Sequence, residues 1–311
     1  MFNYIADWKN QRPNLPLSKG LIWPLFVFFW RGGGCINNLF HSIEEAVELI
    51  GEGDLVAVSG NMEMSPMTLI EEIIRQGIHG LDLLFPGAAT INADLLIGAK
   101  VAKTIEFTQI SLGEFGNAPN FRREVEKKGL RCLEHACPTV VAGLQAGAQG
   151  IPFMPVRGLL GTDYLHIRPD FKVISNPYDE EEQIVLVPAI RPHIAIFHAY
   201  QADTLGNIVA SPLQNNLLLA QASRKVIVSV EDVVKPSALQ RQLGTFIPSI
   251  YLSSIVHLPG GAYPTGCSGY YPLDATKLRD YARQGKKEEG WQSYLHHWIR
   301  EDKWTTHLTN N

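Results

Sequence analysis

The chain has 311 residues, of which 45% are hydrophobic and 19% are charged, a balance typical of a globular protein with a sizeable core. The net charge of −4, the pI of about 6.2 and the lack of any basic run favour neither a nucleic acid nor an anionic membrane as a partner. The four cysteines form no CxxC pair and show no zinc-ligand spacing with histidine, so we expect free thiols, a reducing cytoplasmic location and no metal site.

The N-terminal segment is set apart by one apolar run. Residues 21–30 read LIWPLFVFFW, which is shorter than the roughly 20 residues of a membrane-spanning helix. The run contains Pro24, and no A-x-A cleavage site follows it, so a signal peptide is not favoured either. We therefore treat residues 1–40 as an N-terminal extension without an assigned role and predict that the ordered domain covers residues 41–311.

Predicted strands and helices then alternate along the chain. A capping box at Ser42 opens the first helix, Ser65-Pro66 opens the second, and Gly77 ends it. Further helices are predicted over 94–102, 120–129, 139–150 and 215–224, with two more after Asp274. The predicted strands are 54–60, 81–85 (which Pro86-Gly87 should end), 104–112, 183–190, 193–200 and 225–234.

This alternation predicts an α/β fold. Strand–helix–strand units imply parallel strands joined by right-handed crossovers, so we expect an open, mostly parallel sheet with helices on both faces. A single domain with irregular insertions fits the pattern. Ligands of such sheets bind beyond the carboxyl ends of the strands. The loops after residues 59, 85, 112, 200 and 230 are therefore candidate sites.

Two loops at predicted strand ends carry candidate binding groups. Gly60-Asn61 joins a strand to a helix, where free N–H groups could hold a carbonyl oxygen or a phosphate, although a plain tight turn would look the same. In LGEFGNAPNFRR, Glu114 is suited to a nucleophile or a general base. Gly116 and Asn117 follow it and could contact a ligand; the alternative is a solvated turn.

Three further residues are candidates, each with a structural alternative. Glu134 either stabilises the helix that begins at Pro138 or acts as an acid–base group. Arg157 either holds a carboxylate or phosphate or forms a buried structural ion pair. His198, near the end of a strand, is either a structural residue or part of a binding site. No Ser-His-Asp triad presents itself, and no G-x-S-x-G motif exists.

Five segments in a fixed order resemble a known family. They are VSGN (58–61), EFGNAPNFRR (114–123), QAGAQGIPFMPVRGLLGTD (145–163), HAYQADTLGNI (198–208) and GAYPTGCSGYY (261–271). Together they resemble the A (alpha) subunit of the family I CoA transferases, in particular the glutaconate CoA-transferase A-subunit group. The resemblance covers roughly residues 41–300.

The resemblance implies a fold, a reaction and a partner. The family's fold is an open α/β sheet, and its A subunit works with a homologous B subunit. The reaction moves CoA between carboxylic acids through a glutamyl-CoA thioester, with an acyl-CoA as substrate and no bound cofactor or metal. The nucleophilic glutamate belongs to the B subunit, so Glu114 would line the site, and the chain alone would be inactive.

Two alternatives remain open at this point. A related branch consists of acyl-CoA hydrolases that open a ring, and its A subunit supplies an acidic residue and an arginine. Arg157 matches that arginine, while the acidic position falls at Glu134 or at the place held by Cys137. The other alternative is a non-catalytic structural or ligand-binding subunit.

Overall fold

Twelve strands and nine α-helices occur in residues 39–298, the part of the chain that the computed structural model describes. The strands are β1 (Leu55–Val58), β2 (Leu81–Ala89), β3 (Ala102–Ile110), β4 (Arg131–Glu134), β5 (Phe153–Val156), β6 (Lys172–Asn176), β7 (Asp179–Pro188), β8 (Ile194–Asp203), β9 (Ile208–Ala210), β10 (Lys225–Val234), β11 (Thr245–Ile247) and β12 (Ser254–His257). The helices are α1 (Ile43–Val47), α2 (Met67–Arg75), α3 (Ile91–Gly98), α4 (Pro119–Glu126), α5 (Cys137–Gln149), α6 (Tyr164–Ile167), α7 (Asn216–Ala222), α8 (Ala275–Gln284) and α9 (Glu288–Trp298).

The predicted parallel sheet forms the centre of the fold. Its parallel strands lie in the order β12-β10-β8-β1-β2-β3-β4. One edge of β8 pairs with β1 near the start of β8 and with β9 near its end. β9 runs antiparallel to β8 and also pairs antiparallel with β11. The carboxyl ends of the seven parallel strands therefore meet at one edge of the sheet.

Helices cover both faces of this sheet, as the sequence predicts. Successive residues of β1 point to opposite faces, so Val56 and Val58 belong to one hydrophobic core and Ala57 to the other. The first core includes residues of α2, α3 and α8, and the second includes residues of α5 and α7. The α/β fold class is confirmed.

The predicted strand 183–190 is present, but it does not belong to the parallel sheet. It corresponds to β7, which pairs antiparallel with β5 and β6 in a separate three-stranded sheet. Only Val185 and Val187 of its alternating pattern are fully buried. Alternating buried and exposed residues predict a strand but not the sheet to which it belongs. The sequence therefore could not assign this strand to the parallel or to the antiparallel sheet.

The end of β2 also differs from the prediction. The strand does not stop at Pro86-Gly87 but continues to Ala89, with a shift in its pairing to β3 between Phe85 and Ala88. Proline is tolerated here because β1 pairs only as far as Leu84, so this side of β2 has no neighbouring strand to receive an N–H. As a result, Pro86-Gly87 lies just beyond the end of β1.

The remaining differences lie at element ends and in the short elements. The capping box at Ser42 is confirmed, whereas α2 begins one residue after Pro66 and Ser65 donates to the Asn61 carbonyl instead of capping. The short elements that were not predicted are β4, β5, β6, β9, β11, β12 and α6. Residues 1–38, which hold the apolar run 21–30, lie outside the described residues. Within residues 39–298, no helix is long and apolar enough to cross a membrane.

Candidate functional site at the carboxyl edge of the sheet

A small pocket of about 150 Å³ lies where β1 and β2 end. The loop that follows β1 forms one wall, the irregular end of β2 forms another, and the segment leading into α7 forms the third. The lining residues are Ser59, Gly60, Asn61, Pro86, Gly87, Ala88, Leu213, Gln214 and Asn215. Gly60 and Asn61, two of the predicted binding residues, thus lie at the carboxyl edge of the sheet as the fold class requires.

Gly60 has a backbone that only glycine fits. Its φ is +106°, in the region that disfavours side chains, and an added Cβ would lie 2.4 Å from the Ser65 Cα. The Gly60 carbonyl accepts a hydrogen bond of 3.0 Å from the Asn92 side chain, which is fully buried at the start of α3. The turn after β1 is therefore held from two sides.

Two hydrogen bonds with Glu63 hold Asn61 in place. Its Oδ1 accepts from the Glu63 N–H at 2.8 Å, and its N–H donates to the Glu63 carbonyl at 3.0 Å. Its side-chain nitrogen has no hydrogen-bond partner among the described residues. A fixed amide with a free donor suits the binding of a carbonyl oxygen or carboxylate.

The described lining of the pocket offers hydrogen-bond groups but no carboxylate. Among the described residues that line it there is no carboxylate, histidine, cysteine or lysine. Its polar groups are the side chains of Ser59, Asn61, Gln214 and Asn215 together with the backbone. Such a pocket can hold and polarise an acyl group, but a group that attacks the acyl carbon must come from elsewhere.

The loop after β3 lies beside the first loop. Gly113 and Gly116 have φ of +56° and +104°, and the Leu112 N–H donates to the Gly116 carbonyl at 2.8 Å, which closes a tight turn. The Met62 methyl group would lie 3.8 Å from a Cβ at Gly113, so the two loops are neighbours. Glu114 is exposed and has no hydrogen bond or ion pair among the described residues.

A larger cleft of about 630 Å³ opens on the other side of this loop. Phe115, Gly116 and Asn117 line it together with α4 and α8, and its cations include Arg122 and Arg123. These arginines form ion pairs with glutamates, Arg122 with Glu126 at 2.8 Å and Arg123 with Glu288 at 2.9 Å. Gly116 and Asn117 therefore border this cleft and not the small pocket.

Glu134 lies at the same edge of the sheet but further along it. It ends β4, is exposed, and accepts a hydrogen bond of 3.3 Å from the Tyr164 hydroxyl. Burial and the Glu134 charge raise the pKa of Tyr164. The backbone carbonyl of Glu134 accepts a hydrogen bond from the Arg168 guanidinium, which also donates to Glu106. Two strands separate β4 from β1.

Arg157 directly follows β5 of the antiparallel sheet. Its side chain is 84% exposed and pairs with Glu182 at 2.6 Å, so neither predicted alternative, a ligand-bound or a buried arginine, describes it in this chain. No contact joins it to Glu114 or Glu134 among the described residues. The structure thus does not bring the three predicted catalytic residues together.

His198 does not line the pocket; it belongs to a buried polar cluster. Its side chain is fully buried, with Nδ1 2.7 Å from the Ser229 hydroxyl and Nε2 2.7 Å from Glu231 Oε1. The Tyr271 hydroxyl donates to the same carboxylate, and the Cys267 sulfur lies within 4.8 Å of the histidine and glutamate ligand atoms. Burial and the Glu231 charge raise the pKa of the Cys267 thiol.

The sequence missed the residues that support the site. Glu231 follows six residues of the apolar strand β10, and a charged residue inside such a strand was the available signal. Asn92 had no signal beyond its position after a strand. The histidine, glutamate and cysteine of the cluster are too far apart in sequence for any spacing rule to detect.

Comparisons with known proteins place the chain in a family. The profile of the Coenzyme A transferase family matches residues 40–258. The A subunit of the 3-oxoadipate CoA-transferase of Pseudomonas knackmussii is 31% identical over 268 residues, covering 84% of this chain and 94% of that protein. The crystal structure of glutaconate coenzyme A-transferase from Acidaminococcus fermentans has a TM-score of 0.81 at 26% identity, covering 88% of this chain and 92% of that one.

A relative with a different printed activity is also similar. A cholesterol ring-cleaving hydrolase subunit of Mycobacterium tuberculosis is 26% identical over 283 residues, covering 83% of this chain and 92% of that protein. The 3-oxoadipate CoA-transferase subunit has the higher identity of these two relatives, and the glutaconate enzyme shares the fold. The chain therefore belongs to the coenzyme A transferase family, as an A-type subunit of family I.

Proposed function

We propose that this chain and a homologous B subunit together move CoA from an acyl-CoA to a second carboxylic acid. The carboxylate of a glutamate in the B subunit attacks the thioester carbon and displaces CoA as its thiolate, which leaves a mixed anhydride of the acyl group and the glutamate. The thiolate then attacks the glutamyl carbonyl, so that a glutamyl-CoA thioester forms and the acyl group leaves as its carboxylate. The second carboxylate then takes up CoA and restores the glutamate. No cofactor is needed for this exchange, because the glutamate carries the CoA.

One observation carries the proposal. The pocket at the end of β1 has a glycine turn and a fixed amide but no carboxylate among its described lining residues. A transferase of this kind needs both halves, an acyl-binding pocket and an attacking carboxylate. An acyl-binding pocket without an attacking carboxylate is what this chain would contribute if its partner supplied the carboxylate.

Each loop has a distinct part in this proposal. The Asn61 side chain and the backbone around Gly60 hold the acyl oxygen where negative charge develops. Glu114 and Asn117, exposed on the neighbouring loop, orient the acyl chain or the partner's glutamate. The exposed and unpaired state of Glu114 supports a role towards a group outside this chain, since nothing among the described residues engages it.

The hydrolase alternative has less support. That interpretation needs Arg157 near an acidic residue of the site, either Glu134 or a group at Cys137. Arg157 is largely exposed and pairs with Glu182 instead. We therefore retain the transferase as the proposed reaction, in which Arg157 has no catalytic role, and the catalytic role of Glu134 stays a prediction.

The test is reconstitution followed by covalent trapping. The chain is purified alone and together with a B-type subunit encoded beside it, and CoA transfer from a panel of acyl-CoA donors to acetate is measured. We expect turnover only with the partner. Borohydride or hydroxylamine applied with acyl-CoA should modify a glutamate of the partner. Full turnover by the isolated chain, or a label on Glu114, would contradict the proposal.

A further inference from the structure

The carboxylate of Glu231 is buried and does not line the candidate pocket. Glu231, near the end of β10, is 3% exposed. Its Oε1 lies 2.7 Å from His198 Nε2 and accepts from the Tyr271 hydroxyl at 2.5 Å, while its Oε2 accepts from the Gly260 N–H at 2.7 Å. A buried charge is stable only when it is paired and hydrogen-bonded in this way. The number of donors indicates that the site is built around the carboxylate.

These bonds tie both ends of one loop to the sheet. Gly260 begins the segment 260–271, and Tyr271 ends it. The Tyr271 hydroxyl also accepts from the Ala262 N–H at 3.1 Å, and the backbone of Tyr271 pairs with that of Cys267 in both directions. Glu231 is therefore one of the groups that hold this segment to the sheet.

The segment in turn holds the loop that carries Asn61. The Met64 N–H donates to the Gly266 carbonyl at 2.8 Å, and the Gly266 N–H donates to the Met62 carbonyl at 2.9 Å. Between these two residues, Glu63 makes both bonds that fix the Asn61 side chain and backbone. Hydrogen bonds and short covalent stretches of the chain therefore connect Glu231 through Tyr271, Cys267 and Gly266 to Asn61.

We propose that Glu231 is a positioning residue for the acyl pocket. It touches no substrate; it sets the place of the 61–65 loop through the segment 260–271. His198, whose Nδ1 lies 2.7 Å from the Ser229 hydroxyl, contacts the same carboxylate oxygen as Tyr271 and so helps to orient it. The effect of Glu231 on turnover rests on the proposed function, but its effect on the loop does not.

The same residues could be taken for a metal site, and the geometry argues against that. His198, Glu231 and Cys267 have their ligand atoms within 4.8 Å of one another. However, His198 Nε2 and Glu231 Oε1 are 2.7 Å apart, whereas two ligands at about 2.0–2.1 Å from one tetrahedral zinc ion lie roughly 3.3 Å apart. The spacing is that of a hydrogen bond.

The first experiment measures the loop directly. Glu231→Gln keeps the side chain's volume but puts an N–H₂ group where the carboxylate accepts, so at least one donor loses its partner in either amide orientation. Losing a bond to a charged group should raise amide hydrogen exchange over residues 61–66 by about ten- to a hundredfold. Tyr271→Phe, which removes only the bonds at the far end, should give a smaller rise in the same peptide.

The matched control lies at the opposite edge of the sheet. Asp54 accepts from the Gly51 N–H at 2.8 Å and lies 3.0 Å from His193 Nδ1, so it too combines a glycine amide and a histidine. Asp54→Asn should leave exchange over residues 61–66 unchanged. Equal exchange in Glu231→Gln and the unaltered chain, or an equal rise in Asp54→Asn, would overturn the proposal.

The second experiment uses the complex with the B subunit. Glu231→Gln should lower kcat at least about tenfold and change the KM for acyl-CoA less than about threefold, because the loop's donors act on developing charge more than on substrate binding. A loss confined to KM would refute a positioning role. If the unaltered complex transfers no CoA, the proposed function fails, and the exchange result still decides the role of Glu231.

A third experiment tests for a metal site by measuring the unfolding temperature with and without Zn²⁺. An increase for the unaltered chain, but not for Glu231→Gln, would favour a metal site and overturn the proposal.

Discussion

Replacing Gly60 by alanine tests whether the turn after β1 builds the acyl pocket. An added Cβ would lie 2.4 Å from the Ser65 Cα and 2.7 Å from both the Met64 carbonyl oxygen and the Ser65 nitrogen. All three atoms belong to the backbone, so no side chain can move aside. The 60–65 loop itself must shift by about 1 Å to restore ordinary contacts of about 3.5 Å.

The expected magnitude has two parts. Alanine at φ +106° costs about 1–2 kcal/mol in backbone strain, and the contact adds about 1–3 kcal/mol for overpacking. Gly53→Ala separates the two parts, because Gly53 also has a positive φ of +80° but nothing within 4 Å of an added Cβ. We therefore expect Gly53→Ala to show the strain alone and Gly60→Ala to show both.

The assay combines urea unfolding with CoA transfer in the reconstituted complex. A 1 Å displacement of groups that position a substrate can lower the rate about a hundredfold, so Gly60→Ala should lose activity while Gly53→Ala keeps it. If the two variants matched in both stability and rate, the turn would have no special part in the site, and our reasoning about the pocket would be wrong.

Three further predictions concern single side chains. Glu114→Gln should slow turnover about ten- to a hundredfold in the complex without affecting assembly; unchanged activity would make Glu114 a solvated turn residue. Arg157→Gln should alter stability by less than about 1 kcal/mol and leave activity intact, whereas a tenfold loss in rate would place it in the site. Burial alone would raise the pKa of Glu231, but hydrogen bonds from His198 and Tyr271 hold it below its ordinary value. Its stabilising effect is therefore complete above the unfolded pKa of about 4.3 and is lost as pH falls, so urea midpoints of the unaltered chain and Glu231→Gln should converge in acid.

The sequence predicted the central fold because its signals are local. Alternating strands and helices, the capping box at Ser42 and the glycine after α2 each depend on a few neighbouring residues. The antiparallel sheet of β5, β6 and β7 was missed because pairing is not written in a single strand's pattern. The end of β2 was predicted wrongly because proline usually ends a strand. Here the strand continues past Pro86, since β1 does not pair with β2 beyond Leu84.

Only those parts of the candidate site that lie in glycine- and asparagine-containing turns could be predicted from the sequence. Gly60-Asn61 and the 113–117 loop could be found because glycine and asparagine after a strand indicate unusual turns. Glu231 and Asn92 could not, because their importance lies in partners distant in sequence; the Glu231 carboxylate bonds to residues 29 to 40 positions away. Glu134 and Arg157 were grouped by resemblance, and the fold sets them on different sheets.

The position of β1 has a consequence for synthesis of the chain. β1 lies between β2 and β8, and the Leu55 N–H bonds to His193, 138 residues later. A ribosome adding 5–20 residues per second needs about 7–28 s to supply that distance. During this interval the apolar edge Leu55–Val58 is unpaired, and unpaired strand edges promote aggregation. We therefore expect the nascent chain to depend on a chaperone until β8 emerges and completes the sheet.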